Sequence, residues 1–401
     1  MKISPPVFIW RSSIVIVCAV LAWSACVSAV VNVVTGYNPT FALGLTPNDP
    51  NALVANVDVA LSQTNLNQRT LVSKSRDVEA ALYGQAINPR GLRQLGLIVD
   101  AKGQTKAAQS LMELSSKLSR RDFAAQLWLI EDGVRSGDVA STMTRYDVAL
   151  RTSAESASIL HPILSAALSD DEIQRVFAPY LRTNAPWMAS FLSFAINTGN
   201  APVVVANAIL KGGGLPDNPN YRIIRSQLLQ QLAAKGAFVE AFQYYSQLKA
   251  ADQRIPTSTA FEKSTVDPEF APLTWQLQNS SGIEAAFEPS QKNDAQHLRV
   301  FVNSGERGVV VRKLMGLQSG AYRFSQQIVP VRMESGASAY WQLLCLQNSA
   351  LSPIWKSDID KGSLVIPAAC KGQYLELTVA GGAAQNGSEV LVKSISFAKL
   401  Q

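Results

Sequence analysis

The stretch SRRDFAAQLWLIEDGVRSGDVASTMTRYDVALR, residues 119–151, decides the fold of the longest part of this chain. Apolar side chains recur in it at helical spacing on both sides of a turn signal, Gly137-Asp138. The pattern predicts a first helix that buries Leu127, Leu129, Ile130 and Val134, and a second that buries Met143, Tyr146, Ala149 and Leu150. The stretch has no histidine, no cysteine and no evident nucleophile. It therefore predicts two helices that stack on their neighbours rather than a catalytic segment.

The same plan recurs across residues 51–252, which read as helical almost throughout. Gly103 and Gly137 each end an apolar helical stretch and lie 34 residues apart, the period of tetratricopeptide repeats. In NPRGLRQLGLIVDAKGQTKAAQSLMELS, residues 88–115, Gly96 lets the second helix approach and Ala108 is that helix's small packing residue. This segment therefore resembles a tetratricopeptide-type helical array, which implies a protein-binding surface. The alternative is an ordinary helical bundle.

Arg120 and Arg121 lie where two predicted repeats join, next to Asp122. They are candidate contacts for an anionic protein partner, and the alternative is a charged corner between helices. The whole chain has 401 residues and a net charge of +6, with no run of five or more Lys or Arg. Since groove-reading motifs are also missing, no nucleic-acid partner is predicted.

An uncharged run near the N-terminus predicts the compartment. Residues 12–34, SSIVIVCAVLAWSACVSAVVNVV, would form a helix of roughly 34 Å, enough to cross a hydrocarbon core of about 30 Å. Lys2 and Arg11 precede the run, and the next basic residue is Arg69. Residues 1–36 are therefore predicted to be a cytoplasmic tail and a single-pass anchor in a bacterial inner membrane, with the bulk of the chain in the periplasm. The alternative is secretion after cleavage at Val27-Ser28-Ala29.

The distribution of the cysteines is consistent with a periplasmic location for the bulk of the chain. Cys18 and Cys26 lie inside the apolar run and read as plain apolar residues. Cys345 and Cys370 are the remaining pair, and outside the cytoplasm they are predicted to form a disulfide. Two separate buried thiols are the alternative.

The pattern changes from helix to strand near residue 250. Residues 253–272 are predicted to be a linker rich in Pro, Ser and Thr, and residues 37–50 an irregular linker. Nine short strand-like runs then alternate with turn signals, which predicts an antiparallel sandwich over residues 273–401. The runs are LTWQLQ, IEAAFEP, HLRVFVN, VVVRKLMGL, GAYRFSQQIVPVR, AYWQLLCLQ, GSLVIPAAC, QYLELTVAG and VLVKSISFAKL.

Three segments make the prediction of a sandwich more specific: LMGLQSGAYRFSQQI, AYWQLLCLQN and LVIPAACKGQYLELTVAG. In them a leucine-rich strand ends at a glycine-aromatic corner, Gly320 and Tyr322, and a final strand from Ile395 to Leu400 closes the sheet. This pattern resembles the jelly-roll carbohydrate-binding modules attached to glycoside hydrolases. The resemblance implies an all-β jelly roll with a glycan ligand.

Aromatic rings of the sandwich are the candidate glycan contacts, because flat rings stack on the apolar faces of sugars. The candidates are Tyr322, Tyr340, Trp355 and Tyr374. Trp355, in LSPIWKSDID, is predicted to be the most exposed ring and to lie in a loop beside polar groups. The alternatives are a tryptophan that pins this loop onto the sandwich, and a ligand on the concave sheet face instead.

No catalytic or metal-binding constellation is evident. The two histidines, His161 and His297, have no partner at metal-ligand spacing. No cofactor is predicted. The leading hypothesis is therefore a non-enzymatic accessory protein in surface-polysaccharide assembly or export, with a protein partner on the helices and a glycan on the sandwich. The alternatives are a glycan hydrolase or lyase with an unrecognised site, and a purely structural envelope scaffold.

Overall fold

The structure, a computed structural model, describes residues 5–62, 68–198, 202–248, 251–290, 295–347, 350–383 and 386–400. The chain forms two compact units, Met1–Leu160 and His161–Gln401. Helices come first and two antiparallel sheets follow, which confirms the predicted fold class of an N-terminal apolar helix, a helical region and a C-terminal jelly-roll sandwich.

Fourteen α-helices and ten strands are found among the described residues. The helices are α1 Pro5–Val34, α2 Pro39–Leu45, α3 Pro50–Leu61, α4 Gln68–Gly84, α5 Pro89–Ala101, α6 Thr105–Leu118, α7 Phe123–Ser136, α8 Val139–Thr152, α9 Ser156–Ala167, α10 Asp171–Arg182, α11 Met188–Asn197, α12 Pro202–Lys211, α13 Pro219–Ala234 and α14 Phe238–Ser246. The strands are β1 Gln276–Leu277, β2 Ile283–Pro289, β3 Gln296–Val302, β4 Arg307–Met315, β5 Gly320–Arg332, β6 Ser338–Gln347, β7 Ala350–Ser357, β8 Lys361–Ile366, β9 Gln373–Ala380 and β10 Ser388–Lys399.

Helix α1 contains a candidate membrane span, Ser13–Val34, with a mean hydropathy of 2.7 and little burial. The segment predicted as irregular, residues 37–50, contains helix α2 instead. The Asn38 side chain accepts a hydrogen bond from the Phe41 amide, and Pro39 occupies the first turn. These are strong helix-start signals, and they override the irregular structure that the prolines and turn residues suggested.

The helix pairs of the first unit follow the predicted turns. Gly103 and Gly137 both have positive φ, and Asp138 caps α8 by accepting from the Ser141 amide. A Cβ on Gly96 would lie 3.0 Å from the terminal methyl of Met112, so glycine lets α5 and α6 approach closely without a shift of that side chain. The structure confirms a helical, repeat-like region over these residues.

One predicted core residue of the opening stretch is wrong. Val134 is 65% exposed, whereas Trp128 is buried and donates a hydrogen bond from its indole nitrogen to Asp100 at 3.0 Å. Val134 lies in the last turn of α7, where the apolar stripe has already rotated away from the neighbouring helices. The remaining predicted positions of this stretch are buried or half-buried.

The sandwich consists of two five-stranded sheets. The front sheet has the order β1-β4-β9-β6-β7 and the back sheet β2-β3-β10-β5-β8. Along the chain from β3 to β10 the strands alternate between sheets, except at the β6–β7 hairpin, and all pairs are antiparallel. This order is that of a jelly roll, with β1 and β2 added at the edges. One contiguous apolar core fills the space between the sheets.

The predicted disulfide forms. Cys345 and Cys370 are bonded, with 5.8 Å between their Cα atoms, and both are buried in the sandwich core. Cys18 and Cys26 remain free thiols on the exposed surface of α1. A disulfide fits an oxidising compartment, in agreement with the apolar N-terminal helix.

The segment predicted as a linker, residues 253–272, is packed into the second unit. Ile255, Phe261 and Phe270 are each buried, and two 3₁₀ turns, Lys263–Thr265 and Pro268–Phe270, shape the segment. The Trp275 indole donates to the Ala260 carbonyl at 3.0 Å. The composition suggested flexibility, but three apolar side chains bind the segment to the fold.

Candidate functional site

A row of polar side chains crosses the front sheet from edge to edge on its outer face. The strand register pairs Gln276 with Arg312, Arg312 with Glu376, Glu376 with Gln342, and Gln342 with Lys356. Directly paired residues point to the same face of a sheet. The neighbours of these residues along each strand, such as Val311, Leu343 and Leu377, point inward and lie in the core. We call these five residues the polar row.

Contacts within the polar row fix its central members. The Gln342 amide donates to the Glu376 carboxylate at 3.0 Å, and the Arg312 guanidinium lies 3.4 Å from the other carboxylate oxygen. The Arg312 Nε is buried and has no hydrogen-bond partner among the described residues. Lys356 is exposed at one end of the row. The row therefore holds amide, guanidinium, carboxylate and ammonium groups in fixed order across the sheet.

Two tyrosines flank the polar row on the same face. Tyr340 is paired with Thr378 and Tyr374 with Leu344, so the tyrosines lie on opposite sides of the row. At roughly 3.4 Å per residue, the four-residue offset along β9 separates them by about 14 Å. The two predicted candidates that the structure brings together are therefore Tyr340 and Tyr374.

Basic side chains cover both tyrosine rings. The Lys356 ammonium lies 3.8 Å from the Tyr340 ring centroid, and the Arg307 guanidinium donates to the Tyr340 hydroxyl at 3.0 Å. Burial acts to raise the pKa of Tyr340, but the hydrogen bond from Arg307 and the charges of Arg307 and Lys356 outweigh it, so the pKa is lowered. The Arg312 guanidinium lies 4.2 Å from the Tyr374 ring centroid, and burial raises the pKa of Tyr374. Both rings thus already bind cations face-on.

A groove of about 610 Å³ runs beside the polar row. Its floor is the front sheet, and its wall is formed by α13 and α14 of the same unit. The lining side chains with polar or aromatic groups are Gln230, Phe238, Gln276, Gln278, Arg312 and Tyr374. The Phe238 ring meets Tyr374 edge-on at 6.1 Å. The groove therefore presents amides and one guanidinium beside two aromatic rings.

The other two predicted aromatic residues lie between the sheets. Tyr322 is buried in the core, and its hydroxyl donates to the Gln318 carbonyl at 3.0 Å. Trp355 lies in strand β7, so the predicted loop is wrong. Its half-buried ring packs edge-on against Phe324 at 4.7 Å and Phe397 at 5.7 Å. This placement agrees with the alternative in which Trp355 pins its segment onto the sandwich.

Arg120 and Arg121 lie on the surface of the first unit. Arg121 lines a groove of about 550 Å³ together with Arg90 and Arg93, and the groove begins at the first turns of α5 and α7. Arg93 is held by Asp58 at 3.3 Å and by Asp122 at 3.0 Å. Arg90, Arg120 and Arg121 are exposed, and they form no ion pair with any residue that the structure describes.

The two histidines lie in different elements, α9 and β3. His161 is buried against the rings of Phe191 and Phe194, and burial lowers its pKa. His297 lies in β3, paired with Glu288 of the neighbouring strand. Within the described ranges, no three His, Cys, Asp or Glu side chains are grouped closely enough to hold a metal ion.

No protein-family model matches this sequence, and no curated protein matches it. Among solved structures, the chain is similar to one from accessory secretory protein 1, 2 and 3 of Streptococcus pneumoniae, at 9% identity and a TM-score of 0.23, over 30% of this chain and 87% of that chain. It is similar to TmCBM61 in complex with β-1,4-galactotriose, at 9% identity and a TM-score of 0.24, over 36% and 100% of the two chains.

A third similar structure holds the CBM22-1–GH10 modules of the Clostridium thermocellum endo-1,4-β-D-xylanase 10B, complexed with xylohexaose. The identity is 11% and the TM-score 0.25, over 36% of this chain and 28% of that chain. At such TM-scores the likeness carries no argument about function, which has to come from the residues of the site.

Sequence reasoning missed the polar row, although one signal for it was present. In QYLELTVAG the residues Tyr374, Glu376 and Thr378 alternate with leucines and valine, which predicts one polar and one apolar face. The alignment of this strand with Arg312, Gln342 and Lys356 depends on the register between distant strands and is not readable from the sequence.

Proposed function

We propose that this protein is a membrane-anchored, extracytoplasmic accessory protein without catalytic activity, and that its sandwich binds carbohydrate on the outer face of the front sheet. The observation that carries the proposal is the polar row between Tyr340 and Tyr374. The single apolar N-terminal helix and the disulfide support the location. Surface-polysaccharide assembly or export is the setting we favour.

The chemistry of the row suits a chain of sugar hydroxyls. Each hydroxyl both donates and accepts, so a glycan needs donors and acceptors side by side. The row supplies donors from Arg312 and Lys356 and both donors and acceptors in the amides of Gln276 and Gln342, while the buried Glu376 holds Gln342 and Arg312 in place. Five strands at about 4.8 Å spacing make the row roughly 19 Å long, the scale of a short oligosaccharide.

The tyrosines supply stacking surfaces once their cations move. Lys356 is exposed and lies over Tyr340 only through its flexible side chain. A sugar ring that replaces the ammonium over Tyr340 would place its apolar face on the aromatic ring and release Lys356 to a hydroxyl. Because Arg312 is additionally held by Glu376, we expect the Tyr340 end to open more readily than the Tyr374 end.

Binding of the full chain to a glycan array, followed by calorimetric titration of the ligand found, tests this proposal. Gln342→Ala and Lys356→Ala should each weaken binding about tenfold, because each removes hydrogen bonds worth roughly 1–1.5 kcal/mol. Arg323→Ala is the matched control, since Arg323 is an exposed residue of β5 in the back sheet. Equal binding by all three variants would contradict the site, and turnover of the glycan would contradict the non-enzymatic role.

A second function is favoured by the basic groove of the first unit. We propose that the helix pairs α5–α6 and α7–α8 form tetratricopeptide-like units that bind an acidic protein surface through Arg90, Arg120 and Arg121. Arg90 and Arg121 line the groove, Arg120 is adjacent in sequence to Arg121, and the three exposed guanidiniums form no ion pair within the described ranges, which supports this role. In-cell crosslinking from position 117, an exposed residue in the last turn of α6 next to the groove region, should trap the partner. Arg121→Glu should abolish the crosslinked complex, whereas Lys106→Glu, an exposed charge reversal in α6, should leave it intact.

A further inference from the structure

Helix α2 presents an apolar stripe that no residue of the described chain covers. Tyr37, Phe41 and Leu45 follow one another at four-residue intervals and are 91%, 54% and 43% exposed. Residues four apart lie on the same side of a helix, so Phe41 and Leu45 form one face of α2 and Tyr37 extends it. The helix sequence PTFALGL has no charged residue, whereas a helix exposed to water normally has a polar face.

The opposite side of α2 is fastened to helix α1. Ala42 is fully buried in a cluster with Val31 of α1 and Ala52 of α3, and Val27 packs against this cluster. Val31 is only 2% exposed, although the rest of the candidate span is largely exposed. The last two turns of α1 are therefore packed against α2 and α3.

This packing sets the level of α2 relative to the candidate membrane span. Val31 lies one turn before the end of the span at Val34, and the connection to Pro39 is a hydrogen-bonded turn. The Thr35 amide donates to the Val31 carbonyl, and the Asn38 amide donates to the Val34 carbonyl. Helix α2 thus lies beside the end of the span, at the level where α1 leaves the hydrocarbon core.

We infer that α2 is an interfacial helix whose stripe of Tyr37, Phe41 and Leu45 inserts into the outer leaflet of the membrane and docks the first unit on the bilayer surface. The inference rests on α1 acting as the membrane anchor and is independent of glycan binding. Lipid is the occupant that the structure favours, because the stripe is continuous with the exposed apolar surface of α1 at Val30 and Val33. A tyrosine immediately after a span is typical of the membrane interface.

Spin labels on the full chain in lipid nanodiscs test this inference. Both free cysteines are first removed by Cys18→Ala and Cys26→Ala, and a single spin label is then attached through Phe41→Cys or through Leu45→Cys. Val134→Cys is the matched control, since Val134 is a similarly exposed apolar residue of the same unit. The ratio of collision rates with oxygen, which concentrates in lipid, to those with a water-soluble nickel chelate should be several-fold higher at positions 41 and 45 than at position 134.

Two results would overturn the inference. A ratio at position 41 equal to that at position 134 would place the stripe in water. Low collision rates with both reagents would mean that protein, such as a second copy of the chain, covers it. A label at Tyr37→Cys, outside the helix, repeats the measurement without altering α2. A separate variant that carries Cys26→Ala and keeps Cys18 is labelled at Cys18 and reports on the anchor: a lipid signal there with a water signal at position 41 refutes the interfacial helix alone.

Discussion

Replacing Lys313 by methionine should stabilise the sandwich at neutral and acidic pH and destabilise it at alkaline pH. Lys313 lies in β4 on the inner face of the front sheet and is fully buried. Its ammonium donates to the Ser258 carbonyl and lies 5.5 Å from the Trp275 ring centroid. It forms no ion pair with any residue in the described ranges. Burial lowers the pKa of Lys313 from 10.5 to about 7.

The magnitude follows from this pKa. A difference between 10.5 and about 7 corresponds to roughly 5 kcal/mol, at about 1.4 kcal/mol per pKa unit. Below pH 7 the lysine is charged in both states, and its full burial cost lowers the free energy of unfolding. Between pH 7 and 10.5 the unfolded chain binds more protons than the folded chain, so the free energy of unfolding rises with pH and the cost disappears.

Methionine removes the charge but leaves the Ser258 carbonyl without its donor, which costs about 1–3 kcal/mol at any pH. We therefore expect Lys313→Met to raise the free energy of unfolding by about 2–4 kcal/mol at pH 6 and to lower it by about 1–3 kcal/mol at pH 10.5. Denaturant unfolding, followed by the tryptophan fluorescence of the full chain at several pH values, measures this. Lys393→Met, at an exposed residue of β10, is the control. A stability difference that does not change with pH would refute the reasoning.

Three further predictions can be tested independently. Replacing Cys345 and Cys370 together by alanine should lower the free energy of unfolding by roughly 3–4 kcal/mol, given the sequence separation of 25; thiol labelling of the unfolded, unreduced wild type should find neither cysteine reactive. Trp355→Ala should cost about 2–4 kcal/mol, because the ring packs against two phenylalanines between the sheets; an unchanged melting temperature with lost glycan binding would assign it to a ligand platform instead. A reporter fused at Gln401 should be active only outside the cytoplasm, and mass spectrometry of the protein from cells should show α1 retained; a mature N-terminus at Val30 would contradict retention.

Local sequence signals were sufficient to predict the turns and close contacts of the helical region. The turns at Gly103 and Gly137 have the positive φ that only glycine adopts readily, and Asp138, predicted as part of the second turn, lies between α7 and α8. Gly96 was correctly assigned to a close helix contact. Each of these features depends on a few consecutive residues, which is why the sequence alone predicts them.

Strand β7 was missed because Pro353 suggested a loop. The strand lies at the edge of the front sheet, where a residue without an amide proton is tolerated. The register between β6 and β7 also shifts between Leu343 and Leu344, which accommodates one extra residue beside the proline. Proline argues against a central strand, but whether a strand lies at an edge is decided by the whole topology.

The candidate site could be predicted only in part. Tyr340 and Tyr374 were named from their chemistry, but their positions on one face depend on the pairing of β6 with β9. Trp355 was placed wrongly because its partners, Phe324 and Phe397, belong to strands of the other sheet. Non-local register and inter-sheet packing are set by the global fold and leave little trace in a short window of sequence.

The packed segment 253–272 joins α13 and α14 to the jelly roll within one compact unit. Phe238 rests against Tyr374, the Arg225 side chain is salt-bridged to Glu269, and Gly236 leaves space for Leu346 of the front sheet. A protease directed at this segment would find few extended, accessible bonds, and a fragment that starts at residue 253 would lose the wall of its groove. A sugar chain bound along the polar row would consequently keep a fixed orientation relative to α13 and α14, and a force applied to the sugar would be transmitted to these two helices.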